Sequence, residues 1–320
     1  MVLFITGTCD RDCWYCPLSL ERKDRDAVYA NEREVFSPDE AVGVAETMEA
    51  LGTGITGGEP LLVRDRVVAY ARALKERFGP DHHIHLYTGK APSGEDLAAL
   101  EGLVDEIRMH PPVDEWRTVS GSEYERALEM GHARGFEIGF EVPSLPGLEA
   151  FLPLIPGTDV FNINELEWGE TCSDAMRERG LFTEDDLHSA IDGAKDWAKP
   201  LLSVPEVHWC SSRFKDGVQL RMRLIRIAER TCRPFDEVTD EGTVVYGAWE
   251  PDEDGSSRIA GIPADQREVC GPLVEMSWEY LSDHAGDLPG RKCIVERYPD
   301  RGMIVEVIPV GDSGIPVSVV

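Results

Sequence analysis

Three cysteines stand in the run Cys9-Asp10-Arg11-Asp12-Cys13-Trp14-Tyr15-Cys16, separated by three and then two residues. Thiolates favour iron–sulfur clusters and zinc. A structural zinc site takes four protein ligands, and no fourth Cys or His follows closely. Three thiolates on a four-iron cube leave one iron open to another ligand. Zinc completed from a distant residue, or three unrelated thiols, stay open as alternatives. A second signal is Ile55-Thr56-Gly57-Gly58-Glu59-Pro60. Two glycines let the backbone approach a ligand closely, and the Glu59 carboxylate is suited to accept hydrogen bonds from an ammonium group. By itself this run also reads as an ordinary Gly-rich turn before a helix.

The elements that must position these groups follow from the pattern around them. Strands are expected at Val2–Thr6, Gly54–Gly57, His83–Thr88, Glu106–His110, Phe136–Val142, Val160–Leu166 and Val204–Trp209, several flanked by Gly or Pro. Helices are expected between them. Ser37-Pro38-Asp39-Glu40 opens one with a capping box. Others cover about 63–78, 93–101, 122–134 and 183–198, the last capped by Thr183 and Asp186. Alternating strands and helices predict βαβ units and a parallel sheet. The fold class is thus α/β. An eight-unit barrel averages about 31 residues per unit, so residues 1–210 fit an incomplete, (β/α)6-type TIM barrel. Residues 211–320 read as an α+β extension that caps the barrel or recognises a substrate. It opens with a long basic helix, continues through β-rich pieces such as Thr243–Trp249, and ends in a hairpin of Lys292–Tyr298 and Met303–Pro309. The cysteines follow the first strand, which places them at the C-terminal rim where such folds build sites.

Together the two motifs resemble the radical S-adenosylmethionine (SAM) superfamily over the first 210 residues. Its CxxxCxΦC hallmark matches Cys9, Cys13, Tyr15 as the aromatic Φ, and Cys16. Its GGE motif matches Gly57, Gly58 and Glu59. The resemblance implies a [4Fe-4S] cluster on Cys9, Cys13 and Cys16, with SAM chelating the open iron. It also implies contacts from Gly57–Glu59 to the SAM amino group, Pro60 beside them as a cofactor-binding residue, and Tyr15 packed near the adenine. Reductive cleavage would give a 5′-deoxyadenosyl radical that abstracts hydrogen from a substrate, the protein supplying orientation and exclusion of water. An electron donor such as ferredoxin or flavodoxin is implied. Residues such as Asn162–Glu167 and Cys210–Arg223 are similar to archaeal proteins related to pyruvate formate-lyase activating enzyme.

Further site candidates lie at expected strand ends. Tyr87-Thr88-Gly89 resembles the Thr-Asn-Gly of activating-enzyme-like members, with Gly in place of Asn. His110 and Glu141 end the fourth and fifth strands. Asn162 and Asn164 share one face of the sixth, suited to ribose hydroxyls or a polar substrate. Rim groups that merely satisfy backbone are the alternative for each. His83 and His85 read as a polar strand face rather than a metal site. Cys210, after the last strand, is the candidate hydrogen-atom donor, weighed against a buried free thiol. Cys172, Cys232, Cys270 and Cys293 form no CxxC and carry no signature of a second cluster.

The 320 residues carry 60 acidic and 32 basic side chains, a net charge of −28. A surface with many carboxylates and few Lys resembles that of salt-loving archaeal proteins. At molar salt the Debye length is about 3 Å, so the net charge does not exclude an anionic substrate. No apolar run approaches a membrane span, and Met1–Thr6 lacks the features of a signal peptide. The expectation is a cytoplasmic protein in which the eight cysteines serve metal binding, catalysis or packing rather than disulfides. Against this acidic background, residues 213–233 hold seven cations and two acids. Arg223, Arg226, Arg230 and Arg233 share a helical face and form a candidate anion site, for phosphates of RNA or of a small substrate, with salt bridges to nearby carboxylates as the alternative. The leading expectation is a radical SAM enzyme modifying tRNA or protein. The others are one acting on a small anionic metabolite in cofactor biosynthesis, and a non-catalytic iron–sulfur or zinc protein.

Overall fold

The computed structural model describes residues 1–185, 189–253 and 255–315. The chain divides into two units, the first Met1–Gly217 and the second beginning at Val218. The first is built on a nine-stranded sheet of β1 (Val2–Phe4), β2 (Val28–Ala30), β3 (Arg33–Val35), β4 (Gly52–Thr56), β5 (His83–Thr88), β6 (Glu106–Met109), β7 (Glu137–Pro143), β8 (Phe161–Asn164) and β9 (Val207–Cys210). Their order is β3-β2-β1-β4-β5-β6-β7-β8-β9. From β1 through β9 the neighbours pair parallel. Each of the seven strands expected from the sequence is present, with ends shifted by up to three residues.

The antiparallel β2–β3 hairpin is an addition the sequence pattern did not announce. Its strands are three residues each, too short to show a period. Asn31 sits at its turn with φ +54°, a left-handed conformation that Asn tolerates. The Asn31 side-chain oxygen accepts a hydrogen bond from the Val2 amide at 3.0 Å, tying hairpin to β1.

Helices α1 (Pro38–Thr47), α2 (Arg64–Phe78), α3 (Gly94–Leu100), α4 (Glu123–His132), α5 (Ser173–Glu178), α6 (Ala194–Ala198) and α7 (Ser212–Phe214) intervene. Ser37 caps α1 by accepting from the Glu40 amide, but Glu40 reaches the Phe36 amide instead of closing the box on Ser37. Ser93 and Asp96 close a full capping box on α3. The helix expected over 183–198 is corrected: of its described residues only Ala194–Ala198 are helical. Thr183 pairs with Ile191 as an isolated bridge, and Gly193 takes φ +76°, so the chain turns before a helix starts. Asp186 lies outside the described residues.

Alternation on β5 decides what the sheet offers. Ile84, Leu86 and Thr88 are buried on one side, while His83, His85 and Tyr87 occupy the other. Arg108 on β6, Glu141 on β7, and Asn162 and Asn164 on β8 join that polar face through their mutual hydrogen bonds and the Arg108–Tyr87 contact.

The second unit is antiparallel: β10 (Glu237–Val238), β11 (Val244–Pro251), β12 (Arg267–Cys270), β13 (Leu273–Met276), β14 (Gly290–Arg297) and β15 (Ile304–Pro309), in the order β12-β13-β11-β14-β15 with β10 on β11. The expected final hairpin is present, and its turn holds Asp300 and Arg301 at φ +55° and +56°. The basic segment is three pieces: α7, a π-helical stretch Lys215–Leu220, and α8 (Arg221–Thr231). Leu224, Ile227 and Ala228 bury one side of α8. A further helix, α9 (Trp278–Asp283), places Leu281 in a core with Trp249, Val274 and Met276. Among the described residues no helix is long and apolar enough to cross a membrane.

Candidate active site

The C-terminal ends of the parallel strands surround a cavity of about 440 Å³. Its walls bring together Cys9, Cys13, Tyr15 and Cys16 from the loop after β1, Gly57, Gly58, Glu59 and Pro60 after β4, Thr88, His110, Glu141 and Asn164. Lys23, Glu165, Glu167 and Lys215 also line it, with Lys215 and Glu167 ion-paired at 2.6 Å.

The cysteine loop is braced at both ends. Asp10 pairs with Lys90 at 2.6 Å and Arg11 with Glu115 at 2.9 Å. At the far end the Cys16 carbonyl accepts from the Thr171 hydroxyl at 3.3 Å and the Cys172 thiol at 3.2 Å. Gly169 must stay small, because a Cβ there would lie 2.6 Å from both the Cys16 carbonyl oxygen and the Cys172 sulfur. This brace gives Cys172 a place that its isolated position in the sequence did not suggest. Tyr15 is buried; its hydroxyl accepts from the Val113 amide at 3.3 Å and its ring lies 5.8 Å from that of His110. Burial pushes the Cys13 thiol up to about 11, with Cys16 and Cys9 adding to the effect, and pushes the Cys9 thiol upward as well, with Glu59, Asp10 and Cys16 adding. A bound cation is what would favour their thiolate forms.

The glycine–glutamate turn packs against the chain that leaves β1. A Cβ on Gly57 would lie 2.6 Å from the Thr6 carbonyl oxygen, and one on Gly58 would lie 2.4 Å from that of Thr8. Both glycines are therefore required by the chain leaving β1, which passes directly against them. Glu59 is fully buried and its carboxylate is already engaged. It accepts from the Leu61 amide at 2.9 Å, the Thr88 hydroxyl at 2.8 Å and the Gly89 amide at 2.7 Å. Glu59 thus braces the β4 and β5 rims while also lining the cavity. Burial pushes its pKa up against these donors.

Glu141 holds the opposite wall. Its carboxylate accepts from Arg108 at 2.8 Å, Asn162 at 2.9 Å and Asn164 at 2.7 Å. These donors pull its pKa below the usual carboxylate value despite burial. Arg108 also pairs with Glu106 and donates to the Tyr87 hydroxyl at 3.1 Å. Arg108 was absent from the sequence candidates, although its place on β6 beside Tyr87 is legible once the register is known. His110 sets Nδ1 2.9 Å from the Glu141 carbonyl, and burial pushes its pKa down. The neutral ring has Nε2 as its second hydrogen-bonding atom. Cys210 pairs in register with Asn164 but is not among the lining residues, and burial pushes its thiol up.

In the second unit, Arg233 falls beyond the end of α8 and is surrounded by Asp236, Glu268 and Glu275. It also stacks on Phe235 and Tyr246 at 4.5 and 4.8 Å. The salt-bridge alternative describes Arg233 here, since three carboxylates pair with it. Arg223, Arg226 and Arg230 lie on α8 and each is engaged with other groups.

Residues 3–148 match the radical SAM superfamily, and residues 242–310 match a domain of unknown function, DUF8061. A protein of Methanocaldococcus jannaschii named "putative glycyl-radical enzyme activating enzyme" is 36% identical over 291 residues, covering 86% of this chain and 77% of its own. The chain belongs to the radical SAM superfamily. It is an enzyme of that superfamily, whose cofactors are a [4Fe-4S] cluster and SAM. A crystal structure of Streptococcus suis SuiB bound to S-adenosylmethionine aligns with a TM-score of 0.41 and 13% identity, over 76% of this chain and 58% of that one. The residues present suit these cofactors. Cys9, Cys13 and Cys16 open onto one cavity, and thiolates are the donors that iron–sulfur clusters take. Arg11, whose Nε is buried without a hydrogen-bond partner, also lines the cavity.

Proposed function

We propose that the enzyme activates a protein substrate by abstracting hydrogen from it. Cys9, Cys13 and Cys16 hold the cluster, and SAM occupies the cavity beside them. When bound, the reduced cluster supplies the electron that splits SAM into methionine and a 5′-deoxyadenosyl radical. Gly57 and Gly58 offer backbone groups to the methionine ammonium, while Glu59 keeps that turn fixed. His110, packed on Tyr15, presents Nε2 to the adenosine moiety. Asn164 and ionised Glu141 bind ribose hydroxyls, and Arg108 and Asn162 fix the carboxylate for that task. Met1–Gly217 is read as a partial (β/α) barrel, the second unit as the part that recognises the substrate, and ferredoxin or flavodoxin as the electron donor.

The observation that carries this reading is that the cysteine triad, the glycine–glutamate turn and the Glu141 wall meet around one cavity. The protein substrate is inferred from what the archaeal relative is named for. Anaerobically reconstituted enzyme with dithionite and SAM is expected to release 5′-deoxyadenosine, and C9A, C13A or C16A to abolish it. A deletion strain is expected to lack one modified protein while its tRNA nucleosides stay unchanged. Four bound irons without 5′-deoxyadenosine would overturn the radical step. An unchanged protein profile with an accumulated metabolite would overturn the protein substrate.

A further inference from the structure

At the start of β5, away from the cysteine loop, two imidazoles and a carboxylate converge. His83 and His85 project from the same side of the strand, and Glu106 opens β6 in register with His85. One ligand atom from each lies within 4.8 Å of the others. Gly54 on β4 is in register with His85 on its other side. A Cβ there would stand 2.4 Å from His85 Nε2, so the absent side chain is what admits the ring. Five residues of extended chain, about 16 Å, separate His83 from Thr88 at the cavity rim.

From this geometry we infer that His83, His85 and Glu106 form a binding site for a divalent transition-metal ion, separate from the cluster. The two oxygens of Glu106 have different neighbours: Oε1 takes Arg108 Nε, and Oε2 lies 3.2 Å from His83 Nε2. Two donors each about 2.1 Å from one tetrahedral ion stand about 3.4 Å apart. The His83–Glu106 spacing therefore needs little adjustment to share an ion. Two nitrogen donors and one carboxylate favour zinc or iron(II) over magnesium or calcium, which take oxygen. Arg108 opposes a cation here, but Glu106 and Glu141 both pair with it and leave a net negative charge on this face. His83 is half-exposed, which gives the ion a way in. The other converging group, Glu268, Cys270 and Glu275, lacks this freedom. Arg233 holds both of its carboxylates, and Arg301 holds Glu268 and the thiol.

The test is titration of the full-length C9S/C13S/C16S chain with Co²⁺, which removes the cluster thiols as competitors. One equivalent is expected to bind with visible d–d absorption and no thiolate charge-transfer band. H83Q and E106Q are each expected to weaken it at least about 10-fold. H83Q alters a half-exposed side chain, so it serves if the buried E106Q variant fails to fold. Metal analysis of the cluster-loaded wild type grown with zinc should show zinc beyond the iron, lost in H83Q. Failure to bind Co²⁺, a thiolate band, or binding unchanged in H83Q would overturn the site. None of these readouts depends on cluster chemistry or SAM cleavage.

Discussion

Arg108 and Arg233 are both substantially buried guanidiniums facing carboxylates, and in both the pairing holds the group above its usual pKa. Their surroundings differ in one decisive respect. Arg108 stands on a central strand of a parallel sheet. Of its carboxylate partners, Glu141 receives further donors from Asn162 and Asn164 and lines a cavity. Arg233 stands in a loop after α8 with three carboxylates of its own, one of them only three residues away. The first network extends toward a site; the second closes on itself. A count of charge along the chain finds the second and misses the first, because surplus cations in sequence say nothing about the carboxylates that fold against them.

The sharpest way to break this comparison is to remove Glu141. Glu141→Gln keeps the shape but takes one of two carboxylates from Arg108, which keeps Glu106, at an expected cost of about 2–3 kcal/mol. The Glu141 pKa is held below its ordinary value. The stabilisation is therefore present above that ordinary value and lost as pH falls through the lowered one. Urea denaturation at neutral pH should show the loss, and the acid limb of the variant's stability curve should be flatter by up to one proton. Equal stability of variant and wild type would mean that the Glu141 wall is not a structural unit. A milder break is Thr88→Val, which removes the hydroxyl that joins Glu59 to the β5 rim at 2.8 Å. Glu59 keeps two backbone donors, so about 1–3 kcal/mol is expected, with a weakened KM for SAM and little change in cluster content.

These two residues also mark where sequence reasoning reached its limit. Cys9, Cys13 and Cys16 were legible because their chemistry is carried by local spacing, and the strand alternation of Asn162 and Asn164 held for the same reason. Two of the three partners of Glu59 lie 29 and 30 residues away, so its bracing of the β5 rim could be seen only after folding. The same is true of Gly57 and Gly58, which the backbone of β1's exit also constrains, and of Gly169 and Cys172, which meet Cys16 across about 155 residues. The expected helix over 183–198 failed because a favourable cap cannot compensate for Gly193 and for the pairing of Ile191 to the Leu166 carbonyl.

The smallest effect belongs to the closed network. Glu268 is 40% exposed on its side chain and shares Arg233 with Asp236 and Glu275. Glu268→Gln removes one of three carboxylates from a cation that keeps the other two, and solvent screens what is lost. The expected change is about 0–1 kcal/mol, shrinking further at molar salt, where charges only a few ångströms apart are screened. The Arg301 contact to Glu268 at 2.9 Å is lost with it, but Arg301 is itself exposed. Chemical denaturation of the variant at low and high salt checks this directly. A loss as large as that of Glu141→Gln would mean that redundancy does not protect Arg233, and that exposure rather than partner number misled the comparison. A loss near zero at both salts would place the stabilising weight on Asp236 and Glu275. In that case the segment after α8 is a self-contained ion cluster, in which one cation gathers three of the acidic residues that make this chain so strongly anionic.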